Sequence, residues 1–350
     1  MRILVTGGAG FIGSNFVRLV LSDRPAATVT NLDLLTYAGN LRSIEDLLDH
    51  PRHRFVRGDI ADAAALRQVL DERFDLAVHF AAESHVDRSI LNAGDFVRTN
   101  VLGTQNLLDL ARERSFGRFL HVSTDEVYGA LGPDGLFTED SPLRPSSPYA
   151  ASKAASDLLV LAAVHTHGLD AVVTRSSNNY GPFQFPEKLI PLMILRALEN
   201  RELPVYGDGL QIRDWIHVED HCRALLAVAE RGRAGRVYNV GAAGERTNLD
   251  VVHRILGLLG RPRSLVRSVT DRPGHDRRYA LDATRLRSEL GWAPRHDFES
   301  GLAATVAWYV AHRPWCDDVR SGAYREFCDR WYGGRASSPS PEGETSAEGT

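Results

Sequence analysis

The amino-acid sequence predicts an α/β fold, a doubly wound parallel sheet with a smaller, interleaved C-terminal domain. Three observations carry that expectation. Short apolar runs alternate with amphipathic stretches through the first half, as in strands buried on both faces between covering helices. A glycine-rich turn separates the first strand-like run from the first helix-like one. Beyond Gly181 the character changes, and prolines at 182, 186, 191 and 204 break the chain into loops and short elements. The expected units are 1–180 and 181–334, followed by a disordered tail over 335–350, where small and polar residues leave nothing to bury.

Residues 3–5, 28–32, 54–56, 76–80 and 118–122 read as buried strands, and the sheet continues at 171–174. Helix-like stretches at 14–21 and 63–71 lie between them. In the second half, 189–199 and 218–229 have helical patterning.

The turn Gly7-Gly8-Ala9-Gly10-Phe11-Ile12-Gly13 fits G-x-G-x-x-G through Gly8, Gly10 and Gly13, and equally G-x-x-G-x-x-G through Gly7, Gly10 and Gly13. Between a strand and a helix, such glycines let backbone N–H groups approach a pyrophosphate at the helix N-terminus. That context makes the first unit a Rossmann-type dinucleotide-binding domain. Asp33 ends the second strand 20 residues after Gly13, where a carboxylate bonds the adenosine ribose hydroxyls and repels a 2′-phosphate. NAD is therefore expected rather than NADP. After the third strand, Asp59 and Ile60 suit the adenine edge, and Asp59 suits a helix N-cap equally well.

Tyr149 and Lys153 stand four residues apart, on one face of a helix opened by Pro148. A phenol with a pKa of about 10 is a poor base at neutral pH. A neighbouring ammonium lowers that pKa, so the pair can take a hydroxyl proton while a nicotinamide takes a hydride. After the fifth strand come Ser123-Thr124-Asp125-Glu126, placed where open α/β sheets bind ligands. Two adjacent carboxylates there divide acid and base roles, or else cap the following turn.

Composition narrows the field further. A net charge of −4 and a pI near 6.4 give no general pull toward nucleic acid or anionic membrane, and no apolar run approaches the ~20 residues of a membrane helix. Cys222, Cys316 and Cys328 lack metal-ligand spacing and read as buried thiols. No charged and apolar leader precedes the first strand, so a cytoplasmic location is expected. Only Lys153 and Lys188 are lysine among 41 basic residues. In so arginine-rich a chain, a retained lysine suits a role that needs a tunable ammonium.

The motifs TGGAGFIGS at 6–14, LTYAGN at 35–40, AAESHVDRSI at 81–90, STDEVYG at 123–129, SPYAASKA at 147–154, NNYGP at 178–182, PEKLIP at 186–191 and DRPGHDRRYALDA at 271–283 resemble those of the extended short-chain dehydrogenase/reductases. Within that family they are most similar to the branch that dehydrates dTDP-glucose. The resemblance runs to about Gly334 and implies an NAD-dependent hydro-lyase acting on a dTDP-sugar as a homodimer. In it, Tyr149, supported by Lys153 and Thr124, removes the sugar 4-hydroxyl proton, Glu126 takes the C5 proton, and Asp125 protonates the departing C6 hydroxyl.

The same resemblance implies a cofactor site of Gly7, Gly10, Phe11, Ile12, Gly13, Asp33, Leu35, Thr36, Asp59, Ile60, Ala81, Ala82, Ser84, Thr99, Ser123, Tyr149 and Lys153. On the substrate side it implies Ser84, His85, Thr124, Asn178, Asn179, Lys188, Leu189, Tyr206, Arg213, Asn248, Arg272 and His275. Guanidinium groups at 213 and 272 suit phosphate oxygens. Tyr206 suits either stacking on the base or loop packing. His217 and His221 have i,i+4 spacing, but the expectation is a helix from Val218 capped by a carboxylate, with no metal.

Overall fold

The computed structural model describes residues 1–271 and 274–320. Arg272, Cys328 and the 335–350 tail lie outside the described residues.

Seven parallel strands form the central sheet: β1 (Arg2–Thr6), β2 (Thr28–Asp33), β3 (His53–Arg57), β4 (Leu76–His79), β5 (Arg118–Thr124), β6 (Ala171–Ser176) and β7 (Val237–Val240). Their spatial order is β7-β6-β5-β4-β1-β2-β3. The order reverses at β1, which pairs with β2 on one side and β4 on the other. A crevice at the carboxyl ends of the strands is the geometric consequence. The α/β expectation therefore holds.

The apolar strands feed both faces of the sheet. Ile3 and Val5 point into a core with Val17 and Val20 of helix α1 (Phe11–Asp23), whereas Leu4 between them joins a core on the opposite face. That second core includes Leu66 of α2 (Ala63–Val69), Leu107 of α3 (Gly103–Glu113) and Val160 of α4 (Pro148–His167). Period-2 side-chain alternation over an all-apolar run requires cover on both sides.

A separate apolar cluster joins Ile190 and Ile194 of α5 (Leu189–Leu198), Val251 and Ile255 of α7 (Asn248–Leu258), and Leu302 and Val306 of α8 (Phe298–Ala311). Chain beyond residue 181 also returns to the first core. β7 is the sheet's outermost strand beside β6, and Leu225 and Val228 of α6 (Val218–Arg231) pack in the same core as α1.

Candidate active site

The glycine turn resolves the choice between its two patterns. Gly7 has φ +75°, and a Cβ there would lie 2.6 Å from the Ala81 nitrogen. A Cβ on Gly13 would lie 2.3 Å from the Gly7 carbonyl oxygen. Gly7, Gly10 and Gly13 all line the cleft, so G-x-x-G-x-x-G is the operative pattern. Gly8 instead packs on β2, where a Cβ would strike the Asn31 side chain at 2.1 Å. Helix α1 starts at Phe11, directly after Gly10, and no side chain caps it. Its N-terminal N–H groups and dipole thus face the cleft.

Gly7→Ala is accordingly expected to lower both Tm and the NAD content of the purified protein. The left-handed backbone alone costs about 1–2 kcal/mol, and the new methyl displaces the Ala81 segment of the cleft wall. An unchanged Tm with full NAD occupancy would refute that account.

Asp33 lies at the cleft, its Oδ1 accepting from Leu35 N at 2.8 Å and its Oδ2 from Ala9 N at 3.0 Å. Burial pushes its carboxyl up, against the pull of those two N–H groups. Asp59 is not a helix cap. Asp62 caps α2, whereas Asp59 accepts from Ala61 N at 2.8 Å and pairs with Arg98 at 2.6 Å along the cleft.

Of the expected cofactor residues, Leu35 alone does not line the cleft: its side chain packs against the core around α1. Its left-handed backbone, φ 59°, instead offers its N–H to Asp33. Thr36, Ile60, Ala81, Ala82, Ser84, Thr99 and Ser123 line the cleft with the others.

Ser147 caps α4, accepting from Ala150 N at 3.1 Å, and Pro148 pre-sets the first turn. That anchors Tyr149 and Lys153 on the cleft wall, 9% and 4% exposed. Thr124 closes β5, and its Oγ1 accepts from Glu126 N at 3.3 Å, capping the short turn Asp125–Tyr128. The two carboxylates are thereby released from capping and line the cleft.

Asp125 is 2% exposed. Burial first, then the neighbouring Glu126 and Asp214, push its carboxyl well above the usual range, against the opposing pull of Arg213 and of the Thr124 hydroxyl. Such a group is held toward its protonated, acid form. The Tyr149 phenol is likewise pushed up, by burial and then by Glu126 and Asp125, while a hydrogen bond with Thr124 pulls it back. The expected lowering of its pKa by Lys153 is not found. Lys153 Nζ donates to the Val122 carbonyl at 2.9 Å, and its charge is turned toward the end of β5.

The substrate residues divide into two groups. Ser84, Thr124, Asn178, Asn179 and Lys188 line the same cleft, and Lys188 Nζ donates to Ser84 O at 2.9 Å. His85, Leu189, Tyr206, Arg213, Asn248 and His275 do not line it. His85 accepts from Arg88 N at 3.4 Å, capping Val86–Leu91, and Leu189 packs in the α5 core. Tyr206 gives its hydroxyl hydrogen to Asp87 at 3.0 Å and meets the His275 ring edge-on at 5.9 Å, and His275 lies 2.6 Å from Asp271. Arg213 stands 4.4 Å over the Tyr279 ring, and Asn248 opens α7 beside Gln211. Of this second group, Arg213 acts electrostatically on Asp125 and so stands near the turn Asp125–Tyr128.

His217 and His221 do not converge on one point. His221 Nδ1 lies 2.7 Å from Asn179 Oδ1, and it is the imidazole of His217, not a carboxylate, that caps α6 by accepting from Glu219 N at 3.4 Å. The cap expectation is corrected there: a turn-ending imidazole has an acceptor lone pair at the same reach. The His217 ring also lies 4.1 Å from that of His296, tilted by 30°, and Glu219 completes a trio of ligand-type side chains with them.

Glu187 and Asp214 are among the buried carboxyls that escaped sequence reasoning. Glu187, on the cleft wall, is pushed up to about 7 by burial, opposed by Lys188 and Arg88, and accepts from the Tyr37 hydroxyl at 3.2 Å. Asp214 is pushed up to about 6 by burial while accepting from Gly244 N at 2.7 Å. Glu187 is adjacent to one of only two lysines in a proline-bounded loop, a signal that could have singled it out. Asp214 has no comparable local mark.

The family model described as GDP-mannose 4,6 dehydratase matches residues 4–305. A dTDP-glucose 4,6-dehydratase of Xanthomonas campestris pv. campestris (strain B100) is 54% identical over 341 residues, covering 92% of this chain and 97% of the relative. One from Actinoplanes sp. is 55% identical over 320 residues, covering 90% and 99%. The chain belongs to the dTDP-glucose 4,6-dehydratase family. Among solved members of the dTDP-glucose 4,6-dehydratases, the DesIV double mutant from Streptomyces venezuelae, crystallised with NAD and a second ligand, has a TM-score of 0.89 at 52% identity. That similarity covers 91% of this chain and 100% of the other.

Proposed function

We propose that this chain catalyses the NAD-dependent dehydration of dTDP-glucose to dTDP-4-keto-6-deoxy-glucose, a step of deoxysugar synthesis. The observation that carries the reading is the buried Asp125, its carboxyl pushed up by burial and by Glu126 beside it, in the same cleft as Tyr149. A 4-epimerase only oxidises and re-reduces C4 and expels no water, so it needs no such acid pair.

The cleft fits NAD: a left-handed Gly7, an uncapped α1 N-terminus and a carboxylate at the end of β2 meet the pyrophosphate and ribose. When bound, NAD supplies a hydride acceptor that is regenerated within the same turnover. Tyr149, flanked by Lys153 and Thr124, takes the C4 hydroxyl proton as C4 is oxidised. The resulting 4-ketone acidifies the C5 proton, which Glu126 removes. Asp125 gives its proton to the C6 hydroxyl, which leaves as water. Glu126 then returns a proton to C5 as hydride reaches C6. Arg213, with Tyr206 and His275, receives the nucleotide end, and none of these steps calls for a metal ion.

Among the described residues no helix is long and apolar enough to cross a membrane. Leu102, just before α3, and Leu158, on α4, remain 48% and 57% exposed. These exposed side chains are available to a homodimer, whose light-scattering mass is expected to be twice 38.6 kDa.

Product formation from dTDP-glucose, read as near-ultraviolet absorbance after alkali, tests the activity against UDP-, GDP- and CDP-glucose. Substrate deuterated at C4 is expected to yield product deuterated at C6. Turnover of another sugar nucleotide with silence on dTDP-glucose would displace the substrate assignment, and label lost to water would displace internal hydride return.

A further inference from the structure

Lys153 carries its charge into the protein interior, seated on the Val122 carbonyl. One turn along the same face of α4 stands Asp157, 0% exposed. Its Oδ1 lies 3.3 Å from His121 Nε2, and its Oδ2 accepts from Arg175 Nε at 2.8 Å.

This carboxylate is the centre of a buried polar line running under the cleft. In one direction Arg175 donates to the Tyr128 hydroxyl at 2.9 Å, and Tyr128, last residue of the catalytic turn, donates to Asn239 at 2.7 Å. In the other, the His121 ring lies 5.3 Å from that of His79, whose nitrogens meet Thr6 Oγ1 at 2.7 Å and Thr104 Oγ1 at 3.0 Å. Thr6 immediately precedes Gly7. Asp157 is the one carboxylate in a line that ties the glycine turn, the Tyr149–Lys153 helix and the acid turn together.

We propose that Asp157 is a positioning residue of the Tyr149–Lys153 couple: clamped by His121 and Arg175, its carboxylate is the counter-charge that keeps Lys153 a seated ammonium inside the protein. Burial disfavours an ammonium. It pushes Lys153 down to about 8, and the opposing influence is the charge of Asp157. Although burial pushes the Asp157 carboxyl up, the adjacent His121 ring and the charges of Arg175 and Lys153 hold it below its ordinary value. The other titratable groups around the couple do not supply that counter-charge. His79 and His121 are held neutral by burial, His121 near about 4. Asp125 and Glu126 act on the Tyr149 phenol, and Arg175 is spent on Asp157 and Tyr128.

This inference rests on Tyr149 and Lys153 being the proton-removing couple, but its test needs no substrate. With only two lysines in the chain, lysine labelled at Cε gives two NMR resonances, assigned with a Lys188→Arg variant. In the NAD-loaded enzyme, Lys153 is expected to titrate near about 8. Asp157→Asn should lower that midpoint by about one to three pH units, and Asp157→Glu should restore most of it. The alkaline limb of the kcat–pH profile should move down in parallel, with KM unchanged.

If Asp157→Asn leaves Arg175 unpaired and the chain does not fold, the double variant Asp157→Asn/Arg175→Gln removes both buried charges together. It carries the same expected shift. A folded variant in either form whose Lys153 titrates as in wild type overturns the proposal. Silence on dTDP-glucose with the Lys153 shift intact would instead overturn only the dehydratase reading.

Discussion

Tyr149→Phe is expected to lower kcat about 10²–10⁴-fold, the range for loss of a positioned general base, with no NADH formed on mixing enzyme and substrate. Tyr149 sits in the first turn of α4, beside its Ser147 cap, so the helix holds the phenol against the end of β5. The ring packs edge-on against Phe96 at 6.3 Å, a contact phenylalanine keeps. Fold and Tm should therefore survive while the C4 proton loses its acceptor. Burial, Glu126 and Asp125 all oppose loss of the Tyr149 proton. The hydrogen bond with Thr124 is the influence that favours it. A Tyr149→Phe enzyme within tenfold of wild type would mean that another group removes the C4 proton.

Asp125→Asn should stop the reaction at a later point. Hydride leaves C4 as before, but no proton is supplied to the C6 hydroxyl. Enzyme-bound NADH should therefore accumulate, while product release falls about 10²–10⁴-fold. Asparagine matches the size of the acid, and Asp125 is already 2% exposed, where burial disfavours its charged form. The packing cost should consequently be small. Stopped-flow NADH absorbance measured beside product formation separates this variant from Tyr149→Phe. Wild-type turnover, or loss of both signals together, would remove Asp125 from the acid role.

The features legible in the chain are those set by short-range sterics and periodicity. Apolar runs long enough to be buried on both sides marked β1 to β6, and Gly10 and Gly13 marked a turn where side chains have no room. The i,i+4 spacing of Tyr149 and Lys153 puts both on one helix face. Asp125 and Glu126 are adjacent in sequence, but that adjacency leaves capping of the following turn open, and it is Thr124 that caps it.

Other features depended on what distant segments brought alongside. Gly7 rather than Gly8 completes the turn because Ala81, at the end of β4, presses against it. Leu35 turns into the core and offers its backbone instead. His217 supplies a cap expected from a carboxylate, and Tyr206 and His275 gather at Asp87 and Asp271, away from the cleft wall.

The dTDP-glucose dehydratase family, its α/β fold and its Tyr149, Lys153, Asp125 and Glu126 set follow from local pattern and motif. The proton states that separate acid from base do not. They depend on desolvation and on charges: Asp214 and Arg213 stand far along the chain and meet the site only once the sheet and its covering helices have closed over it, and Asp157, one turn from Lys153, is held by His121 of β5 and Arg175 of β6.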